Sequence, residues 1–273
     1  MTSSFSMQLF STPQVGDRLT YNGNVFSVWL YLPDEFYNLE IVNYDTFEFI
    51  DTTYVLAVNL FGDKKTCSST GCGRGYIAEW SIIDDLLYLT GIYSCCYYSD
   101  SIEADLTLLF KEKVVSGKVK ADWITGNFTS PQGKRIRYEH WGYGGFYEQE
   151  LEFYFEKGKL TGTHLYNNTI KQSEYSQNAE KLREFIYSNI NWEILPKQDK
   201  VIRVFIGFVP NENGFIDEVK VLRGYSELYD QEAIRIIKAI PEWEVSFRRG
   251  ELIRMQWDIP VIFSNENRLR YQR

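Results

Sequence analysis

The sequence predicts two domains, an all-β domain built as an antiparallel barrel or sandwich and then an α+β domain. Its 273 residues are enough for two separate cores. An aromatic share of 16%, with 20 Tyr and 18 Phe, favours strands over helices. The apolar pattern changes from short strand-like runs to a helical stripe late in the chain. The predicted parts are an all-β domain at 1–168, a linker at 169–178, an α+β domain at 179–264 and a tail at 265–273.

The first domain reads as short β-rich runs separated by turn signals. Asn22-Gly23 separates the runs 18–21 and 25–32, which predicts a hairpin, and Asp84-Asp85 predicts a second one. Strands at roughly ten-residue spacing are typical of a barrel or a sandwich. The only helix candidate in this part is 102–110.

Between and after the domains the chain is polar. Residues 167–178 lack periodicity, which places the linker there, and the tail 265–273 is expected to be frayed.

The second domain has a readable order of elements. The runs 201–209 and 215–222 flank the turn residues 210–214 and predict a hairpin. An apolar stripe then predicts a helix that begins at Ser226 and ends before Pro241. The segment 252–263 returns as one strand. This order, ββαβ, lays one helix on a small antiparallel sheet.

Three spaced blocks in this domain, FIDEVKVLRGYS, LYDQEAIRIIKAIPEW and IPVIF, resemble the TonB C-terminal domain family. The preceding helix AEKLREFIYSNI at 179–190 is similar to the helix that leads into that domain in bacterial members, so the resemblance covers about residues 178–264. One departure is 244–250, where the family usually has a Pro-Gly segment.

The resemblance implies a non-enzymatic protein that binds another protein. In the family, the last strand or the sheet edge accepts an extended peptide by β-augmentation. On this chain the corresponding edge is 255–263, with Met255, Gln256, Asp258 and Val261 as partner-binding residues. A complete TonB protein also has an N-terminal anchor and a Pro-rich spacer, and neither is found here, so this chain is not expected to transduce energy unaided.

A looser likeness concerns the first domain. The blocks GRGYIAEW, VKADWITG and YEHWGYGGFY are similar to uncharacterised bacterial β-rich proteins associated with toxin-immunity loci. This likeness implies a toxin-neutralising (immunity) or accessory role.

Charge and hydropathy restrict the partner and the compartment. The net charge of −8 disfavours nucleic acid as a partner. Residues 1–171 hold 14 basic and 21 acidic side chains, a formal charge of −7, which favours a basic protein partner. No apolar run is long enough for a membrane span, and the start lacks the features of a signal peptide. We therefore predict a cytoplasmic protein, or a periplasmic one if a leader has been removed.

The four cysteines, Cys67, Cys72, Cys95 and Cys96, do not have the spacing of a usual zinc site. Free thiols in a reducing cytosol are the favoured interpretation, and a Cys67–Cys72 disulfide is the alternative. We expect no metal and no cofactor.

Catalytic candidates are few. The glycine-rich segment 71–75 precedes a strand, whereas a phosphate-binding loop precedes a helix. Glu139 and His140, with Asp122 or Glu148, could supply a general acid and base only if the fold brought them together. We expect no catalytic residue, and keep this site as the enzymatic alternative.

An aromatic, glycine-rich stretch is the best surface candidate in the first domain. Glycines free the backbone and aromatic rings supply contact area, which favours recognition loops. The alternative is a turn whose aromatic side chains fold back into the core. The candidate partner-binding residues here are Trp141, Tyr143, Phe146 and Tyr147.

Overall fold

A computed structural model describes residues 14–43, 50–56, 58–67, 69–137, 145–197 and 199–272. The structure is mostly β, with 43% strand and 21% helix, and its strands form several sheets. The chain divides into two compact units, Met1–Tyr166 and Asn167–Arg273.

Within its described residues, the first unit contains most of the strands, two short α-helices, and 3-10 helices at Asp34–Phe36 and Lys111–Lys113. Its elements in chain order are β1 (Asp17–Tyr21), β2 (Asn24–Val28), β3 (Tyr37–Asn43), β4 (Ile50–Leu56), β5 (Ile77–Ile83), β6 (Leu86–Tyr93), α1 (Tyr97–Asp100), α2 (Leu106–Phe110), β7 (Val114–Val115), β8 (Lys118–Lys120), β9 (Gly126–Arg137), β10 (Phe146–Glu156) and β11 (Lys159–Asn167).

One large sheet organises this unit. Its hydrogen-bonded order is β2-β1-β5-β6-β11-β10-β9, with β8 joined to β6 and to β7, while β3 and β4 form a separate pair. The described strands do not close into a barrel. The pairing of β1 with β5 is parallel, so the sheet is mixed. The expectation of a wholly antiparallel sheet is therefore wrong.

The predicted hairpins are present because their turn residues adopt the left-handed conformation that such turns need. Asn22 and Gly23 have φ of 49° and 75°, and Asp84 and Asp85 have φ of 49° and 60°. The helix candidate at 102–110 is helical only over α2, where the Asp105 side chain accepts hydrogen bonds from two backbone amides of the first turn.

The core of the first unit lies against the large sheet. Its members are apolar side chains from β1, β5, β6 and β10, with the linking segments packed around them. The largest fully buried members are Trp80, Tyr76, Phe153, Leu87 and Leu89.

The second unit contains two three-stranded sheets and four helices within the described residues. Its elements are β12 (Thr169–Lys171), α3 (Glu174–Gln177), α4 (Ala179–Ser188), β13 (Ile202–Pro210), β14 (Ile216–Arg223), α5 (Glu227–Lys238), β15 (Val245–Arg248), β16 (Glu251–Ile253), β17 (Trp257–Phe263) and α6 (Asn265–Tyr271).

The first of these sheets has the order β14-β13-β17, with both pairings antiparallel. It contains the expected hairpin, whose turn ends at Gly214 with φ of 90°. The expected helix is α5, which follows Ser226 and ends before Pro241. Its buried side chains Ala233, Ile236 and Ile237 belong to the same core as the inward side chains of β13.

The second sheet, β12-β15-β16, corrects one prediction. The expected single strand at 252–263 is in fact two strands, β16 and β17, that belong to different sheets. The physical cause lies upstream, where Arg249 and Gly250 adopt φ of 56° and 85° and turn β15 back onto β16.

The expected linker and the expected frayed tail both have regular structure. The segment 169–178 contains β12, which pairs with β15, and α3. The tail forms α6, where Arg268 is buried and donates to the backbone carbonyls of Trp192, Leu195 and Pro196. These charge-assisted hydrogen bonds fix a polar helix that lacks a strong apolar stripe.

Candidate functional site

The candidate site is the three-stranded sheet β14-β13-β17, because both outer strands have a partner on one side only among the described strands. An unpaired strand edge offers backbone donors and acceptors to another chain. Which of the two edges is usable depends on which backbone groups point outward.

The outer edge of β17 is partly blocked. Pro260 has no N–H to donate, and prolines in sheets lie where the missing donor faces away from the neighbour. The Asn267 side chain donates to the carbonyl oxygen of Ile262 at 3.0 Å. Alternate residues turn their backbone groups to the same side, so Asp258, Pro260 and Ile262 all point away from β13. This edge therefore offers few free groups.

The outer edge of β14 has no such block. Phe205 lies opposite Pro260, whose backbone groups point away from β13. The backbone groups of Phe205 therefore point away from β17 and towards β14, and so do those of Gly207 two residues later. Gly207 lies opposite Lys220, which leaves Val219 and Val221 with outward-facing N–H and C=O groups. The side chains on either side of them, Glu218, Lys220 and Leu222, are exposed.

The residues expected at the β17 edge are divided between surface and core. Gln256 and Asp258 are exposed and bonded to each other at 3.0 Å, and Met255 is half-buried. Val261 is fully buried. Its side chain packs into the core of the unit, so it cannot contact a partner as expected.

A groove opens beside the first half of β13. Residues Ile202, Arg203 and Val204 pair with β17, but β14 ends opposite Phe205, so their other side has no strand partner in the described structure. The groove has a volume of about 290 Å³. Its lining residues are Lys200, Val201, Ile202, Arg203, Phe205, Arg223, Gly224 and Tyr225.

The aromatic stretch of the first unit is only partly described. Trp141 and Tyr143 lie outside the described residues. Phe146 is buried, with the Arg137 guanidinium 5.3 Å from its ring centroid, and Tyr147 is half-buried. Burial removes the Phe146 side chain from the expected contact surface, in line with the alternative that aromatics of this stretch fold inward.

The candidate site of the enzymatic alternative is only partly described. Glu139 and His140 also lie outside the described residues. Asp122 is exposed, and Glu148 accepts a hydrogen bond from the backbone N–H of Lys134 at 2.9 Å. His164 is exposed on β11 beside Tyr166. Within the described range, no group of three or more possible metal ligands is found.

The cysteines correct a second prediction. They form two disulfides, Cys67–Cys96 and Cys72–Cys95, so neither the free thiols nor the Cys67–Cys72 bridge is present. The folded chain brings the adjacent pair to the 67–72 loop, with Cα–Cα distances of 6.0 and 5.9 Å. Adjacent cysteines that bond to two different partners cannot be paired from sequence spacing alone.

The glycine-rich segment 71–75 has a structural role. Arg74 donates to the buried carboxylate of Asp17, which also accepts from the N–H of Ala78 at 2.9 Å and from Trp80 Nε1 at 3.1 Å. Burial raises the pKa of Asp17, while the Arg74 charge and these hydrogen bonds act in the opposite direction. No motif or spacing in the sequence indicates this pairing.

Among the described helices, none is both long and apolar enough to cross a membrane.

Comparisons of the chain with protein-family profiles, with curated proteins and with solved structures gave no match.

Proposed function

We propose that this chain is a non-enzymatic protein that binds an extended segment of another protein by strand addition to the β14-β13-β17 sheet. The observation that carries the proposal is the β14 edge, where Val219 and Val221 present outward backbone groups with no strand partner among the described residues. Strand addition gains affinity from backbone hydrogen bonds and selectivity from flanking side chains. In this proposal, the β14-β13-β17 sheet and α5 form a TonB-C-like ββαβ core that is a domain of its own.

The resemblance to the TonB family implies docking at β17, whereas the structure favours β14. Pro260 has no N–H, and the Asn267 side chain already donates a hydrogen bond to the carbonyl oxygen of Ile262. Both features reduce the number of free backbone groups on the outer edge of β17. Substitution by proline can compare the two edges, because proline removes one outward N–H without breaking the ladder to β13.

The test begins with display selection of peptides that bind the full chain. We expect Val221→Pro to weaken the selected peptides by about tenfold or more, because one backbone hydrogen bond is lost and the ring hinders approach. Val221→Thr is the matched control that keeps the N–H and should bind within twofold of the original chain. Isothermal calorimetry measures both, and circular dichroism checks the fold.

Equal affinity of the proline and threonine variants would contradict docking at β14. If Asp258→Pro on β17 weakened binding instead, the edge implied by the TonB resemblance would be the docking site.

We also propose that the chain works in an oxidising compartment, outside the cytoplasm. Disulfides persist in such compartments and are rare in the cytosol. The two bridges therefore favour the alternative of a periplasmic, TonB-related envelope protein over the cytoplasmic prediction. The toxin-neutralising or accessory role is retained as the biological setting, with the acidic first unit favouring a basic surface on the partner.

The redox proposal gives a simple expected result. Protein taken from its native source, quenched in acid and treated with a maleimide reagent should gain no mass without reductant and four labels after reduction, because all four cysteines are bridged. Mass spectrometry measures the labels. Labelling of the unreduced protein at any of the four positions would contradict the proposed compartment.

A further inference from the structure

We infer that the groove beside the first half of β13 binds an acidic, extended segment of a partner protein. We name it the basic groove, with the lining residues 200–203, Phe205 and 223–225. The inference rests on the proposed protein-binding function and adds a second binding surface on the same sheet, with the chemistry of the segment that it binds.

The first argument is uncompensated positive charge. Arg203 and Arg223 are both exposed. Neither arginine forms an ion pair with a carboxylate of the residues that the structure describes. Lys200 lies 4.8 Å from the centroid of the Tyr225 ring. By contrast, Arg254, on the same unit, is paired with Glu218. Three neighbouring cations that form no ion pair within the described residues favour an anionic partner.

The acidic groups nearest in the chain do not neutralise the basic groove. Asp230 accepts a hydrogen bond from the backbone N–H of Tyr225 at 2.9 Å, and so has a structural role in holding this turn. Asp199 and Glu227 are exposed and close to lining residues in the sequence, but neither is among the lining residues. The net charge of the lining remains positive.

The second argument is the backbone of β13, which points to a peptide as the occupant. Arg203 lies opposite Ile262, whose carbonyl points outward to Asn267. The N–H and C=O of Arg203 therefore point away from β17 and into the basic groove. A short extended segment can bond to these groups while its side chains meet the cations.

The third argument is the mixed character of the walls. Val201 and Tyr225 are each 49% exposed, and Phe205 is half-buried on the same side. Apolar and aromatic walls beside cations suit a segment in which acidic residues alternate with apolar ones. A volume of about 290 Å³ accommodates a few side chains and not a folded domain.

Nucleic acid is the competing anionic ligand, and the charges disfavour it. The whole chain carries a formal charge of −8, and phosphate backbones are held by larger sets of clustered cations. An acidic peptide needs only the few cations found here.

The test uses fluorescence anisotropy with the full chain and three labelled probes. The probes are a peptide of alternating glutamate and valine, the same peptide with lysine in place of glutamate, and a thymidine oligonucleotide. We expect the unmodified chain to bind the glutamate peptide and neither of the other two probes. The affinity for the glutamate peptide should be at least tenfold weaker in the variant Arg203→Glu/Arg223→Glu. The matched control is Lys120→Glu/Lys134→Glu, which makes the same charge change at exposed positions of the first unit and should stay within twofold.

A salt titration of the unmodified chain gives a second measurement that needs no variant. Affinity for the glutamate peptide should fall several-fold between low and physiological salt, since exposed charges are screened. Equal binding of both peptides, tighter binding of the oligonucleotide, or an unchanged affinity of the groove variant would overturn the inference. If Val221→Pro weakens its selected peptides while the unmodified chain does not bind the glutamate peptide, the proposed function stands and the inference of an acidic ligand fails.

Discussion

Loss of the two disulfides is expected to lower the free energy of unfolding of the first unit by about 3 kcal/mol or more, because each bridge restricts the unfolded chain. The bridges close segments with sequence separations of 29 and 23. They hold the loop that contains Cys67 and Cys72 to the turn after β6. The variant to measure is Cys67→Ser/Cys96→Ser/Cys72→Ser/Cys95→Ser in urea unfolding followed by tryptophan fluorescence.

The two bridges are nested, so their separate losses should not add. Cys67→Ser/Cys96→Ser leaves the inner bridge, which still closes most of the same loop, and should cost less than the full variant. Cys72→Ser/Cys95→Ser also places a hydroxyl at the buried Cys72 position and should cost more than the outer pair. An unfolding midpoint that is the same with and without reductant would contradict the predicted contribution.

Replacement of Asp17 by alanine is expected to destabilise the first unit by about 3 to 5 kcal/mol, since one partner of a buried ion pair is removed. Asp17 is fully buried, and its loss removes the carboxylate to which Arg74, the Ala78 N–H and Trp80 Nε1 donate. The exposed Asp63 provides a control, because Asp63→Ala should change stability by less than about 0.5 kcal/mol. Urea unfolding measures both.

The double variant Asp17→Ala/Arg74→Met separates the ion pair from the other hydrogen bonds. It should be more stable than the sum of the two single variants predicts, because no guanidinium then remains without its carboxylate beside Trp29 and Tyr76. Simple additivity would show that the pair contributes nothing specific to this cluster.

The predictable part of the fold is local. Asn22-Gly23 and Asp84-Asp85 specify hairpins because few residues adopt positive φ, and the limits of α5 follow from Ser226 and Pro241. These signals act over a few residues, so they survive without knowledge of the rest of the chain.

The missed parts depend on distant contacts. The disulfide partners of Cys95 and Cys96 lie 23 and 29 residues away, and only the folded sheet brings them together. Helix α6 depends on Arg268 reaching the carbonyl of Trp192, a contact across 76 residues that no local pattern indicates. A charged residue in a polar tail normally predicts exposure.

The basic groove was missed for a similar reason. Arg203 and Arg223 are on different strands, and the register that places Phe205 opposite Arg223 brings them near each other. The family resemblance implies docking at β17 instead. The strand register is needed to see that Pro260 and Asn267 leave few free backbone groups on the outer edge of β17. The same register indicates outward backbone groups on β14.

Amide hydrogen exchange of the full chain, with and without a peptide obtained by display selection, tests the central claim most directly. Strand addition to β14 predicts slower exchange at the outward amides of Val219 and Val221 when the peptide is bound, with β12, β15 and β16 unchanged. Slower exchange confined to the first unit, or none at these two amides, would contradict the account.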